Sequence, residues 1–275
     1  RTNVQQYNPD GTPEGAAYDY YNAYNYGELA VTGLADGGYV IANWTFYSVQ
    51  AHIRNADGTL RTATFNMTQG GSSDNTYTER RPALASLPDG GFVAVWESAD
   101  GQDGNERAVI ARLFNANGTP RTDEFIANSA VAGDQSFASV AAFPDGRFIV
   151  NWRSPGEGAD TSTNVYARIF NADGSPVGSE FLVNETITGS QSTQGYNGST
   201  APHNPTVAVL TDGTIAFSWW GNGGGASDGA FTRRFSTDNL LQGTAGNDTL
   251  DAGKGQDVIQ GLGANDILSG LLGND

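Results

Sequence analysis

The chain has 275 residues and a formal net charge of −16, because 30 acidic residues outnumber 14 Lys and Arg. This charge excludes most nucleic-acid-binding proteins, which need a positive surface against phosphate, and argues against docking on an anionic membrane. Cysteine is absent and only two histidines occur, which excludes disulfides, zinc–thiolate sites and His-rich metal sites. No apolar run approaches the roughly 18 residues that membrane insertion requires. The 37 glycines and 11% aromatic residues are typical of an all-β protein.

Two turn phrases recur along residues 1–240. The copies of the first, an apolar residue followed by x-Asp-Gly, begin at Leu34, Leu87, Phe143 and Leu210. The copies of the second, which reads Asn-x-Asp/Asn-Gly, begin at Asn8, Asn55, Asn115 and Asn171, with a degraded copy at Ser236. Asp-Gly and Asn-Gly supply the positive φ that tight hairpin turns require. The repeats therefore predict a regular series of β-hairpins.

Each repeat unit contains four short strand-like segments. In residues 81–128, for example, Phe92, Ala94 and Trp96 alternate with two valines, so both faces of that strand are largely apolar. Four antiparallel strands buried on both faces are typical of a β-propeller blade. The sequence thus predicts an all-β, β-propeller-like domain of about four blades, in which Phe92, Phe148 and Ile215 are buried at equivalent sites.

The count of strands leaves the closure of the ring open. The last unit breaks off after Phe235, and residues 4–22 could supply its missing outer strand, which would close a four-bladed ring. The alternative is a slice of a longer propeller of about five to seven blades. The sequence favours closure, because an open ring of apolar blades would leave two apolar faces in water.

From Gly243 the sequence changes to a nine-residue period with an aspartate in register. The repeated aspartates are Asp248, Asp257, Asp266 and Asp275, and the apolar eighth positions are Leu250, Ile259 and Leu268. This pattern resembles the RTX (repeats-in-toxin) nonapeptide G-G-x-G-x-D-x-U-x. The resemblance implies that residues 241–275 begin a parallel β-roll with two nonapeptides per turn. Asp248 would then stack on Asp266, and Asp257 on Asp275.

The same resemblance implies Ca²⁺ as the bound ion, held by carboxylate and backbone carbonyl oxygens. The predicted calcium-binding positions are Gly243, Ala245, Asp248, Ala252, Lys254, Asp257, Gly261, Gly263, Asp266 and Asp275. It also implies type I secretion from a Gram-negative bacterium to the exterior or cell surface. The preceding repeats are similar to modules of large secreted RTX adhesins and agglutinins, and the chain is expected to be a piece of such a longer protein.

Tryptophans recur at the ends of the predicted second strands. Trp96, Trp152 and Trp219 occupy equivalent positions, and Trp44 and Trp220 lie one residue further on. Packing between blades is the first interpretation of this repetition. The alternative is that the tryptophans beside polar, Gly-rich loops hold sugar faces. The predicted carbohydrate-binding residues are Trp44, Trp96, Trp152 and Trp220.

The sequence contains no recognisable catalytic motif, and no catalytic residue is predicted. Glu97, Asp103 and Glu106 are expected to be solvated loop charges, with a second calcium site in residues 100–106 as an alternative. His52 stands where other repeats have Arg112 and Arg168, which indicates repeat drift.

Three functions remain open. The first is a calcium-binding adhesin or lectin module whose partner is an extracellular glycan or cell-surface polymer. The second is a secreted polysaccharide-degrading enzyme, marked by acidic residues converging on a central channel. The third is a structural surface-layer or filament repeat.

Overall fold

The computed structural model describes part of the chain, and that part is all-β. The described residues are 2–7, 10–20, 29–45, 48–69, 79–99, 102–104, 106–155, 162–184, 204–221, 229–236, 240–242, 249–251, 258–260, 265 and 267–269. Within these ranges the chain forms strands and turns and no helix, which confirms the predicted fold class. It follows that these ranges contain no helix with the length and hydropathy to cross a membrane.

The chain begins with a hairpin of β1 (Thr2–Tyr7) and β2 (Pro13–Tyr20). Four antiparallel sheets then follow one another along the chain. Sheet 1 contains β3 (Leu29–Gly33), β4 (Tyr39–Trp44), β5 (Val49–Arg54) and β6 (Phe65–Asn66). Sheet 2 contains β7 (Glu79–Ser86), β8 (Phe92–Ser98), β9 (Ala108–Phe114) and β10 (Phe125–Ile126). Sheet 3 contains β11 (Ser136–Ala142), β12 (Phe148–Pro155), β13 (Thr163–Phe170) and β14 (Phe181–Leu182).

In the described residues sheet 4 has three strands, β15 (Thr206–Val209), β16 (Ile215–Gly221) and β17 (Gly229–Phe235). Four short strands are described after it, namely β18 (Leu240–Gln242), β19 (Thr249–Asp251), β20 (Val258–Gln260) and β21 (Ile267–Ser269).

Strands within each sheet lie side by side in chain order, so the first strand is always at one edge. These first strands are also neighbours between sheets, because β3 lies against β7, β7 against β11 and β11 against β15. The Asp-Gly turn after each first strand uses glycine at positive φ, as at Gly90 (91°) and Gly146 (93°). This arrangement of consecutive four-stranded sheets around shared inner edges is propeller-like.

The hydrophobic core lies between successive sheets. One cluster joins sheets 1 and 2, a second joins sheets 2 and 3, and a third joins sheets 3 and 4. Phe92, Phe148 and Ile215 are all fully buried at equivalent positions, as predicted. Because the second and third strands pack on both faces, alternating residues of one strand belong to different clusters.

Equivalent arginines on the third strands connect each sheet to the sheet before it. The three hydrogen bonds run from Arg112 Nη1 to Met67 O (2.8 Å), from Arg168 Nη1 to Ala127 O (3.4 Å) and from Arg233 Nη1 to Val183 O (2.9 Å). His52 occupies this position in sheet 1, which no four-stranded sheet precedes among the described residues. Burial, followed by the charge of Arg54, lowers the pKa of His52 to about 4. Arg54 Nε donates a hydrogen bond to His52 Nε2 at 3.4 Å.

The amino-terminal hairpin does not complete sheet 4, so the closure predicted through residues 4–22 is wrong. β1 pairs with β2 alone, and sheet 4 has three strands in the described residues. The hairpin instead lies beside sheet 1, where Gln6 Nε2 donates to Ala56 O at 3.1 Å. Gln6 approaches Gly58 of sheet 1 as Phe125 and Leu113 of sheet 2, in its fourth and third strands, approach Gly174 of sheet 3. The hairpin therefore stands where the third and fourth strands of a preceding sheet would lie.

The face of sheet 4 that points away from sheet 3 is exposed in the described residues. Ala51, Ala111 and Ala167 are fully buried at equivalent positions of sheets 1 to 3, whereas Thr232 is exposed at that position in sheet 4. Thr206 and Ala208 are exposed on β15, and Val31 of β3 is 67% exposed. The predicted closure requires two apolar end faces, whereas the exposed residues that the structure describes in sheet 4 have small or polar side chains.

Candidate functional site

The last four strands form two parallel pairs with the register of a two-repeat turn. β18 pairs with β20 so that Leu241 lies opposite Ile259, and β19 pairs with β21 so that Leu250 lies opposite Leu268. In each pair the partners are two nonapeptides apart, as the β-roll resemblance implies. Ile267, the neighbour of Leu268 along β21, is 65% exposed. The strands thus form the beginning of a parallel roll.

The residues of this segment fit a calcium ion by the chemistry of their donors. All ten predicted calcium-binding positions, including the aspartates, lie outside the described residues. The strand register brings repeats two apart alongside each other, and every repeat carries one aspartate at the same sequence position. Carboxylate and carbonyl oxygens are the donors that Ca²⁺ prefers. Within the described residues no group of three or more His, Asp or Glu side chains could hold another metal ion.

The four sheets share a loop face, defined here by the ends of their second strands and the starts of their first strands. One residue from each second strand stands at the same position of this face. Alignment on the Asp-Gly turns gives Trp44, Glu97, Arg153 and Trp220. Trp44 and Trp220 are half-buried there. The two terminal sheets therefore present indole rings where the two central sheets present charged groups.

Trp96 and Trp152 do not belong to a sugar-binding surface, and that prediction for them is wrong. Both are fully buried, Trp96 between sheets 1 and 2 and Trp152 between sheets 2 and 3. Trp219 is likewise buried and stacks on Phe231, with ring centroids 5.9 Å apart. These side chains face the neighbouring sheet because they precede the loop-face position by one residue, and strand side chains alternate between faces. The packing interpretation is correct for all three.

Glu97 is also different from its expected role as a solvated loop charge. It lies in β8 and is fully buried. Arg81 Nη1 is 2.9 Å from Glu97 Oε2, and the backbone N–H of Phe137 donates to Oε1 at 2.7 Å. Burial raises the pKa of this carboxyl above its usual value of 4.5, while the Arg81 guanidinium partly offsets the rise. Glu97 is a contact between sheets 2 and 3, inaccessible to a polymeric substrate. Asp103 and Glu106 lie in the loop after β8, where Glu106 is exposed.

Two neighbours of Glu97 adopt backbone conformations that are rare for residues other than glycine. Arg81 has φ of 52° and Phe137 has φ of 57°, and each lies at a register shift of its first strand. The two residues occupy equivalent positions of sheets 2 and 3, six residues before Leu87 and Phe143 respectively. Beta-bulges of this kind redirect side chains. Here the Arg81 guanidinium carbon lies 4.2 Å from the centroid of the Phe137 ring.

The opposite end of the sheets contains an open pocket of about 370 Å³. Each sheet contributes its first Asp-Gly turn to this pocket, through Leu34, Leu87, Phe143 and Leu210 and their neighbours. The lining residues in the described part of the chain include no acidic side chain. The shared lining shows that the four sheets surround one axis.

The sequence missed the loop-face column and the buried character of Glu97. Aligning the repeats on Asp-Gly would have placed Trp44, Glu97, Arg153 and Trp220 in one column. No sequence signal marks the bulges at Arg81 and Phe137, which bring their side chains to Glu97.

Comparison with known families identifies the carboxyl-terminal segment. Residues 238–275 match the family model of the RTX calcium-binding nonapeptide repeat, in four copies. RTX nonapeptide repeats bind calcium, so the chain is a calcium-binding protein with a propeller-like domain followed by RTX repeats. No curated protein sequence matches the chain.

Solved structures with similar folds have low sequence identity. The α-L-arabinofuranosidase Arb93A from Fusarium graminearum has a TM-score of 0.48 and 11% identity, over 84% of this chain and 71% of that chain. The α-L-arabinanase of Penicillium chrysogenum has a TM-score of 0.45 and 10% identity, over 77% of this chain and 66% of that chain. The Dos1 propeller has a TM-score of 0.43 and 11% identity, over 79% of this chain and 48% of that chain. None of these activities is transferred to this chain.

Proposed function

We propose that this chain is a calcium-binding module of a secreted bacterial protein and that its propeller-like domain binds an extracellular glycan or cell-surface polymer, as in an adhesin or lectin. RTX repeats are typical of secreted proteins, and type I secretion from a Gram-negative cell belongs to the same proposal. Calcium bound by the repeats would supply charge neutralisation and cross-linking of successive turns. The chain's carboxylates and backbone carbonyls would hold the ion.

The observation that carries the glycan proposal is the half-buried state of Trp44 and Trp220. Each indole is anchored at the end of a second strand, and each is partly open on the loop face. An aromatic face binds the CH groups of a sugar, while nearby amides and carboxylates bind its hydroxyl groups. Trp219, the neighbour of Trp220, is buried between sheets 3 and 4, so core packing holds the strand that carries Trp220.

A binding screen tests the proposal. The full chain in millimolar calcium is titrated with a glycan array and with bacterial surface polysaccharides, and the titration is repeated in chelator. Trp220→Ala is expected to weaken binding by about tenfold, because one aromatic platform is lost. Tyr7→Ala is the matched control, since Tyr7 is an exposed aromatic of the amino-terminal hairpin and is 61% exposed. Flat titrations against every polymer would favour the structural surface-layer function instead.

A further inference from the structure

Basic side chains are scarce in this chain, yet four arginines gather on the loop face between sheets 2 and 3. Arg80 and Arg81 lie at the start of β7, Arg107 lies just before β9, and Arg153 lies near the end of β12. Burial lowers the pKa of Arg80, and the positive charges of Arg107 and Arg81 add to that effect. The whole chain has only 14 Lys and Arg against 30 acidic residues. A local concentration of guanidinium groups therefore stands out from an acidic molecule.

The acidic side chains near these arginines already form hydrogen bonds or ion pairs within the protein. Glu97 is fully buried against Arg81 and the Phe137 backbone N–H. Asp134 lies 3.6 Å from Arg107. The buried Glu79 accepts a hydrogen bond from Ser98 Oγ at 2.7 Å. Four cationic groups thus face three carboxylates, and burial favours the protonated form of one of these, Glu97.

Arg153 is the arginine whose hydrogen-bond donors remain available to a ligand. Its guanidinium carbon lies 5.5 Å from the centroid of the Phe137 ring, and the side chain is half-buried. Among the described residues the guanidinium makes no hydrogen bond and no ion pair, although the charges of Asp134 and Glu97 act on it. A guanidinium has five N–H donors in a planar fork that matches a carboxylate or sulfate bidentately. Its cation–π contact with Phe137 helps to position that fork.

The backbone around Arg153 shows that the arrangement is built by the fold. The guanidinium groups of Arg153 and Arg81 both lie over the ring of Phe137. In the described part of the chain, Phe137 and Arg81 are the only non-glycine residues at positive φ. Such conformations cost free energy and persist where surrounding contacts impose them. Both occur at bulges that turn side chains toward one spot on the loop face.

The geometry points to an anion site: Arg153, which lies with Arg81 against the Phe137 ring, binds a carboxylate or sulfate group of an acidic polysaccharide. This inference rests on the proposed glycan-binding function and names the class of glycan. A net charge of −16 would repel such a polymer elsewhere on the chain, so the arginine cluster also fixes where it docks.

The experiment compares three polymers on the full chain in calcium. Polygalacturonate carries carboxylates, dextran sulfate carries sulfates, and dextran is neutral. We expect binding to one or both acidic polymers, weakened by added salt, and about a tenfold loss in Arg153→Gln. Arg153→Lys should retain only part of the affinity, because an ammonium group cannot bind bidentately. Arg147→Gln is the matched control, because it removes the same charge at a different place. Arg147 lies beside Asp145 in the Asp-Gly turn after β11, at the end of the sheets opposite the loop face.

The outcomes separate this inference from the function on which it rests. Equal affinity of Arg153→Gln and Arg147→Gln for acidic polymers would overturn the anion site. Binding of neutral glycans with no response to acidic ones would overturn it while leaving the glycan-binding proposal in place. An absence of binding to every polymer would overturn both. Should Arg153→Gln fail to fold, as judged by its circular dichroism, the affinity of Arg153→Lys relative to Arg147→Gln decides the question.

Discussion

Trp96 and Glu97 show, one residue apart, how strand alternation separates the core from the contact between sheets. Trp96 fills the cluster between sheets 1 and 2, while Glu97 meets Phe137 of sheet 3. The same alternation leaves Trp44 and Trp220 half-buried at the loop face. A one-residue difference in position therefore decides whether a tryptophan of this chain is fully buried or half-buried at the loop face.

The buried tryptophan column yields a stability prediction. Trp96→Ala should lower the free energy of unfolding by about 3–5 kcal/mol, because it leaves a large cavity between two sheets. Chemical denaturation followed by circular dichroism measures the change. Tyr7→Ala, at a 61% exposed position, should change the stability by no more than about 0.5 kcal/mol. Similar small effects for both variants would show that Trp96 is not a core residue.

Glu97 yields a prediction about pH. Burial raises the pKa of its carboxyl in the folded state above the usual 4.5. A group with a raised folded-state pKa contributes stability that is fully present below the unfolded-state pKa and is lost as the pH rises through the folded-state value. The wild-type free energy of unfolding should therefore fall relative to that of Glu97→Gln as the pH is raised above about 4.5.

Denaturant titrations at a series of pH values and one calcium concentration measure this difference. Glu106→Gln is the control, because Glu106 is exposed in the loop after β8. A constant difference between Glu97→Gln and wild type across the whole pH range would contradict the role assigned to burial.

At the scale of elements, the RTX strands are too short to order by themselves. β18 to β21 have three residues each, and fixing the backbone costs about 1–2 kcal/mol per residue. The sequence adds one aspartate per repeat, and like charges at close distance repel. Calcium reverses the sign of that electrostatic contribution, so ion binding and folding of this segment are expected to be one event.

Hydrogen exchange on residues 243–275, first in chelator and then in millimolar calcium, tests this coupling. Amide protection should appear only with calcium. Asp257→Ala should weaken the calcium response more than Asp251→Ala, because Asp251 lies within β19, opposite Ser269, and outside the predicted turn position. Equal protection in both conditions would refute coupled binding and folding.

At the scale of the whole molecule, the series of sheets ends on a polar face. Thr232 is exposed in sheet 4, whereas its equivalent in sheet 3, Ala167, is fully buried against the next sheet. Thr232→Lys should therefore change the free energy of unfolding by no more than about 0.5 kcal/mol. Ala167→Lys should abolish folding or cost more than about 3 kcal/mol, since it buries an unpaired charge. Thermal and chemical denaturation of the two variants measure the contrast, and a comparable loss in both would mean that another sheet covers sheet 4.

The sequence by itself determined the repeat, the all-β class and the calcium segment, because each depends on local patterns. Asp-Gly turns specify hairpins, alternating apolar residues specify strands buried on both faces, and a nine-residue period specifies the roll. These signals act over a few residues, so they can be recognised in the sequence without knowledge of the tertiary structure.

Only the tertiary structure decided the place of the amino-terminal hairpin, the buried state of Glu97 and the convergence of the arginines. Each depends on which surfaces meet in space: the hairpin of residues 2–20 lies beside sheet 1, and the bulges at Arg81 and Phe137 bring two sheets to one carboxylate. Long-range packing assigns burial and charge partners, and a residue's own neighbours in the sequence do not contain that information.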